Sequence, residues 1–183
     1  RSEQVMRGTK RYRFEMTFGL RTDTGDAQGK PLENRSVQIP HNRILSVLPD
    51  FTGQITQVPP MASAIKVHGR RLYKDAHLGK TAERPPRQVT VHSLELLDVA
   101  MRHGHTCALL DMQCSRGTYV RTLSEDLAAA LNTIAVTSFL LRSSSGPFHV
   151  HEAFYLKDVS PGTVRRHMAP VEFLDGGADT GLY

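Results

Sequence analysis

Residues 10–19, KRYRFEMTFG, alternate strictly, with Tyr12, Phe14, Met16 and Phe18 on one face and Arg11, Arg13, Glu15 and Thr17 on the other. A period of two with one apolar face predicts a half-buried strand. The following stretch, LRTDTGDAQGKP (20–31), is dense in Thr, Asp and Gly and predicts one long turn without regular elements. In HNRILSVLPDF (41–51), Ile44, Leu45 and Leu48 predict a short helix that stops before Pro49. Pro59 and Pro60 force an extended path. RLYKDAHLG (71–79) places Leu72, Ala76 and Gly79 at helical spacing, with Gly79 as the cap. RQVTVHSLELLDVAMR (87–102) and HTCALLDMQCS (105–115) predict a strand pair joined at RHGH, and an amphipathic helix over 118–131 follows at once. IAVTSFLLRSSSGPF (134–148) passes from an apolar run into a Ser/Gly/Pro turn, and AFYLKDV (153–159) is a last short element. Beyond Ser160 the periodicity fades, so 1–158 is expected as the folded unit and 159–183 as a tail.

These elements sum to an α/β chain of the α+β type: a mixed, largely antiparallel sheet with flanking helices. At 183 residues the chain suffices for one well-buried domain. Its apolar fraction of 39% and charged fraction of 22% are those of an ordinary soluble protein. No window approaches the ~18 uninterrupted apolar residues of a membrane span, and no apolar secretory core follows Arg1. The two cysteines, Cys107 and Cys114, fall in one predicted strand on opposite faces, which excludes a bond between them. A reducing compartment is expected, either the cytoplasm or an organelle matrix such as that of the mitochondrion.

Charge changes the picture more. Lys and Arg total 23 against 18 Asp and Glu, a net +5, with a pI near 9.5. The basic residues cluster in KRYR (10–13), GRRLYK (69–74) and ERPPR (83–87), two of which contain a tyrosine. Cations that hold phosphates beside a ring that takes a base face suit a nucleic-acid partner; solvated surface charge is the plain alternative. There is no GxxxxGK[ST], GxGxxG or CxxC. The pairs His103/His105 and His149/His151 each lack a third ligand at convincing spacing, so no metal is expected. Asn34-Arg35-Ser36 matches a glycosylation acceptor, and with no secretory signal visible the match is expected to be chance. The remaining puzzle is Arg121, a permanent cation one turn into a predicted helix just after Gly117. It could pair with Glu125 one turn on, or it could serve an anion from elsewhere.

Four stretches in fixed order address that puzzle: KRYRFEMTFGLRTDTGDAQG (10–29), TQVPPMASAIKVHGRRLYKDAHLG (56–79), CSRGTYVRTLSEDLAAAL (114–131) and LLRSSSGPF (140–148). Together they resemble the TruB family of pseudouridine synthases, which isomerise a uridine in the T-loop of transfer RNA. The resemblance covers about residues 10–158 and implies a pseudouridine synthase-like fold, cofactor-free chemistry and an RNA partner, transfer or ribosomal. It implies that an aspartate is the nucleophile and that the target base is flipped out of its stack. Tyr12 resembles the tyrosine that packs on the flipped uracil, Arg121 the arginine that pairs with the nucleophile, and Leu140 the apolar residue across the uracil pocket. Lys66 matches the lysine after P-x-x-S-A-x, and His68, Arg70, Arg71 and Arg142, with Arg11 and Arg13 flanking Tyr12, are candidate RNA contacts by position and charge. The family's G-x-L-D-P-x-A-T-G stretch, which carries the nucleophile, has no counterpart in these residues. Asp23 and Asp26 belong to another family element, a turn in which carboxylates bond backbone amides. The fold is therefore expected to be incomplete at its N-terminal side, with the nucleophile, and cover for an open part of the sheet, on further polypeptide. Ala62 and His77 depart from the family's usual aromatic and arginine, and no C-terminal RNA-binding appendage is recognisable after Ser160. The alternative reading is a TruB-like module without catalysis, kept for RNA contact or ribonucleoprotein assembly, in particular that of the ribosome.

Overall fold

The computed structural model describes residues 8–60 and 84–167, together with the backbone of two short strands between them, 66–67 and 70–71. Strand β1 (Lys10–Phe18) follows the alternation seen in its sequence and buries Phe14, Met16 and Phe18 completely. It lies inside the sheet, antiparallel to two later strands, so its backbone groups are satisfied on both sides.

Residues 20–31 are not one irregular turn. Strands β2 (Leu20–Thr22) and β3 (Pro31–Asn34) pair antiparallel around the Asp/Gly segment. That segment closes on itself, because the Asp23 carboxylate accepts from Lys30 N–H at 2.8 Å and Thr22 Oγ1 donates to the Asp26 carbonyl at 2.7 Å. Helix α1 (His41–Val47) ends as predicted, but Pro49 does not stop the chain from turning; it opens a 3₁₀ turn, Leu48–Phe51. Proline lacks only a donor that a first helical turn leaves unused. The helix expected over 71–79 lies, apart from Arg71, outside the described residues.

Strand β4 (Gly53–Gln57) is an edge strand against β7 (Arg87–Arg102). The ribbon of β5 (Lys66–Val67) and β6 (Arg70–Arg71) stands apart from the main sheet. Strand β7 turns into β8 (His105–Cys114) through His103 and Gly104, whose φ values of 51° and 80° suit a two-residue hairpin. Helix α2 (Val120–Ala130) follows. The apolar run after it is a full strand, β9 (Ala135–Ser145), paired with β1. Its sequence hides this, because register shifts skip Ser138 and Ser143 and so break the period of two. A short β10 (Phe148–His149) extends the edge, and 153–159 contains only a 3₁₀ turn, Leu156–Asp158.

The main sheet has the order β10-β9-β1-β8-β7-β4 with every neighbouring pair antiparallel. Among the described residues, parallel pairing is confined to the isolated bridges Asp26–Thr137 and Val37–His105. One contiguous core joins Phe14, Met16 and Phe18 to Leu110 and Met112, to Val120, Leu123 and Leu127 of α2, and to Ile44 and Leu48. The opposite strand positions carry ion pairs, Arg11 and Arg13 with Asp111 and Arg102 with Glu15.

Candidate active site

Helix α2 starts where the chain leaves β8 through Gly117, whose φ of +84° is left-handed and favours glycine. Val120, Leu123 and Leu127 face the core, which swings Arg121 toward the Asp/Gly turn between β2 and β3. There Arg121 Nη1 donates to the Thr24 carbonyl and to Asp26 Oδ2, both at 3.1 Å. Asp26 in turn accepts at Oδ1 from Thr24 Oγ1 at 2.8 Å and from Gln28 N–H at 3.2 Å. The carboxylate within ion-pair distance is thus Asp26, not the Glu125 that helical spacing suggests. Glu125 feels the guanidinium at longer range; its carboxyl is pushed up by burial and by Asp126, and pulled down by Arg121 and Arg84.

The turn is fastened to β9 by two backbone bonds of 3.1 Å, from Ala27 N–H to the Thr137 carbonyl and from Thr137 N–H to the Gly25 carbonyl. Gly25 has φ +73°, and a Cβ there would sit 2.6 Å from Glu125 Oε1. Beneath, Thr137 Oγ1 donates to Ser124 Oγ at 3.0 Å, which ties α2 to β9. Arg121 therefore projects from a junction fixed to both neighbouring elements.

These residues frame a cavity of about 400 Å³. Asp26, Ala27 and Gln28 form one wall, Arg121 another, and Phe139 and Leu140 supply apolar surface. Leu140 is 49% exposed and Phe139 47% exposed, which is costly for apolar groups unless something flat and apolar covers them. A larger hollow of about 550 Å³, lined by Leu45, Leu48, Pro49, Thr52, Gly53 and Leu94, has no titratable group among the described residues that line it.

Tyr12 is not among the residues that line the 400 Å³ cavity. It faces Arg142 across β1 and β9 while Phe14 faces Leu140, so Tyr12 and Leu140 share a sheet face two positions apart along β1. The Arg142 guanidinium acts electrostatically on the Tyr12 phenol. Burial, aided by Cys114, pushes the phenol up more strongly than Arg142 pulls it down. Lys10, also nearly buried, is pulled down by desolvation and by Arg142, and its ammonium donates to the Gly8 carbonyl at 3.0 Å. Burial raises the Cys114 thiol.

The other predicted RNA contacts are placed variously. Arg11 and Arg13 lie on the sheet face away from Tyr12, where they bind the buried Asp111 carboxylate at 2.6 and 3.4 Å. Lys66 faces Arg71, and Val67 faces Arg70, across the β5–β6 ribbon, which gathers three basic positions on one hairpin. His68 lies outside the described residues. Of the histidine pairs, His105 is buried with Nδ1 2.9 Å from the Phe18 carbonyl, and the His149 and His151 rings stand 5.4 Å apart. Among the described residues no three His, Cys, Asp or Glu side chains gather as metal ligands. Sequence reasoning treated Asp26 only as a turn residue and passed over Gln57. No local period could reveal either, since their partners are 95 and 62 residues away.

Comparison with known proteins adds the following. The model of a family described as TruB family pseudouridylate synthase (N terminal domain) matches residues 1–120. The tRNA pseudouridine synthase B of Caldanaerobacter subterraneus subsp. tengcongensis is 40% identical over 169 residues, covering 92% of this chain and 58% of the relative. That of Symbiobacterium thermophilum is 43% identical over 166 residues, covering 90% and 55%. The chain thus spans little more than half the length of these curated relatives. A chain of the solved Cbf5-Nop10-Gar1 complex matches with a TM-score of 0.65 at 22% identity, over 94% of this chain and 44% of that one. A chain of an H/ACA RNP bound to a substrate RNA containing 2'-deoxyuridine matches with a TM-score of 0.55 at 21% identity, over 85% and 34%. At those identities the likeness is one of fold.

Proposed function

The chain belongs to the TruB family of pseudouridylate synthases, and on that premise we propose that it forms the greater part of the catalytic unit of a tRNA pseudouridine synthase. The reaction breaks the bond from ribose C1′ to uracil N1, turns the base, and joins C1′ to C5, from which a proton leaves. The nucleophilic aspartate is supplied by polypeptide outside residues 1–183. RNA is the partner, and the free, buried Cys107 and Cys114 are consistent with a reducing compartment.

The observation that carries this reading is the guanidinium of Arg121, oriented by Asp26 and the Thr24 carbonyl at the wall of a cavity whose other side is apolar. Such a cation keeps an incoming carboxylate ionised and aimed. The exposed surfaces of Leu140 and Phe139 suit one face of an extruded uracil, and Tyr12 shares the sheet face of Leu140. With its pKa raised by burial, Tyr12 stays a neutral phenol at physiological pH and acts through its ring. Arg142 and the basic ribbon of β5 and β6 suit phosphates. A module kept only for RNA contact has no need of an arginine so oriented.

The test is pseudouridine formation in a uridine-containing tRNA by the complete polypeptide. Arg121→Ala is expected to abolish turnover while leaving RNA affinity within a few-fold of wild type. Equal loss of both would show that Arg121 serves structure, and absence of turnover in the wild type would end the enzyme reading.

A further inference from the structure

Strand β4 ends on Gln57, whose side chain is 1% exposed. Both ends of its amide bind one residue: Oε1 accepts from Tyr119 N–H at 3.0 Å, and Nε2 donates to the Tyr119 carbonyl at 3.2 Å. Tyr119 is the extended residue that begins α2, and its own side chain makes no capping bond. Its carbonyl also accepts the first helical bond, from Leu123 N–H at 3.0 Å. A second tie lies one residue along, where Thr122 Oγ1 donates to the Val58 carbonyl at 3.4 Å. Gln57 thus reproduces with its side chain one rung of a strand ladder and fixes the point from which the helix departs.

Arg121 is two residues beyond that point, and its tip is held by Asp26 and Thr24. We propose that Gln57 is the positioning residue for Arg121: the amide rung sets the backbone of the first turn of α2 so that the guanidinium meets both Asp26 and the cavity. The role rests on the reading of that cavity as a uridine site, and Gln57 acts only through Arg121. A buried glutamine that merely satisfies a helix end would stabilise the fold without governing where the guanidinium sits. An ångström of drift at a charged group in an active site costs on the order of 10²-fold in rate, so the two roles differ measurably.

The experiment has two arms, with Gln57→Leu and Gln57→Glu. In the complete polypeptide the Nε–H signal of Arg121 is followed by ¹⁵N NMR, and single-turnover pseudouridine formation and RNA affinity are measured. Gln57→Leu is expected to move the Arg121 signal, to speed its exchange with water at least about tenfold, and to slow turnover by at least about tenfold with RNA affinity within about threefold. Gln57→Glu keeps the acceptor for Tyr119 N–H but, when ionised, loses the donor. Its buried carboxyl takes up a proton readily, so its turnover and its Arg121 signal should recover as pH falls, which a cap of purely structural value would not produce. Should Gln57→Leu fail to fold, the pH response of Gln57→Glu decides alone. An Arg121 signal unmoved in the folded variants, or equal losses of turnover and RNA affinity, would overturn the proposal. If the wild-type polypeptide forms no pseudouridine, the uridine reading fails, while the NMR arm still decides whether Gln57 positions Arg121.

Discussion

Arg121 and Asp26, 95 residues apart in the chain, meet at 3.1 Å and bring the start of α2 to the turn between β2 and β3. Their side chains are 22% and 31% exposed, so the pair contributes little to stability, on the order of 1 kcal/mol or less. Its value lies in direction. Asp26→Asn should therefore lower urea stability by no more than about 1 kcal/mol yet slow turnover of the complete polypeptide by on the order of 10²-fold. A loss of several kcal/mol in the unfolding titration would make Asp26 a residue of the fold.

Gly25 sits between that pair and Glu125. With φ +73° and only 2.6 Å from a would-be Cβ to Glu125 Oε1, alanine meets both backbone strain and a carboxylate. Gly25→Ala should cost about 1–2 kcal/mol from the backbone alone, with more from the collision. The double variant Gly25→Ala/Glu125→Ala should recover the collision but not the strain, a non-additivity that denaturant unfolding of both single variants and the double variant would reveal.

Tyr12 separates ring from hydroxyl. Tyr12→Phe removes the hydroxyl on which Arg142 acts and should cost no more than about 1.5 kcal/mol of stability with RNA affinity preserved. Tyr12→Ala should weaken RNA binding by about 1–3 kcal/mol, the worth of one stacked base. Fluorescence titration of the two variants against the same RNA checks this, and equal affinities would remove the ring from the base.

Asp126 has its pKa raised by burial alone. The folded protein therefore holds that proton more tightly than the unfolded chain, whose aspartates titrate near pH 4. Stability falls as pH rises from about 4 through the raised value and stays lowered above it; Glu125, raised first by burial and then by Asp126, acts in the same sense. Asp126→Asn should match wild type at acid pH and exceed it in Tm at neutral pH. Thermal scans at the two pH values measure the crossover, and a variant less stable than wild type at neutral pH would contradict it.

What the sequence determined by itself is what depends on near neighbours. The alternation Tyr12-Phe14-Met16-Phe18 specifies β1 because burial of one strand face requires only a period of two. The His103-Gly104 hairpin and the helix after Gly117 likewise follow from backbone preferences of a few residues. The motifs named the family and selected Tyr12, Arg121 and Leu140, of which Arg121 and Leu140 line one cavity while Tyr12 shares only the sheet face of Leu140. Only the tertiary structure decided that β9 is a strand, since its bulges at Ser138 and Ser143 erase the period until β1 supplies the partner. It also decided that Arg121 answers to Asp26 and that Gln57 holds Tyr119. Ion pairs and amide rungs between distant segments leave no trace in local spacing, because their geometry exists only once the sheet and α2 have packed around a common core.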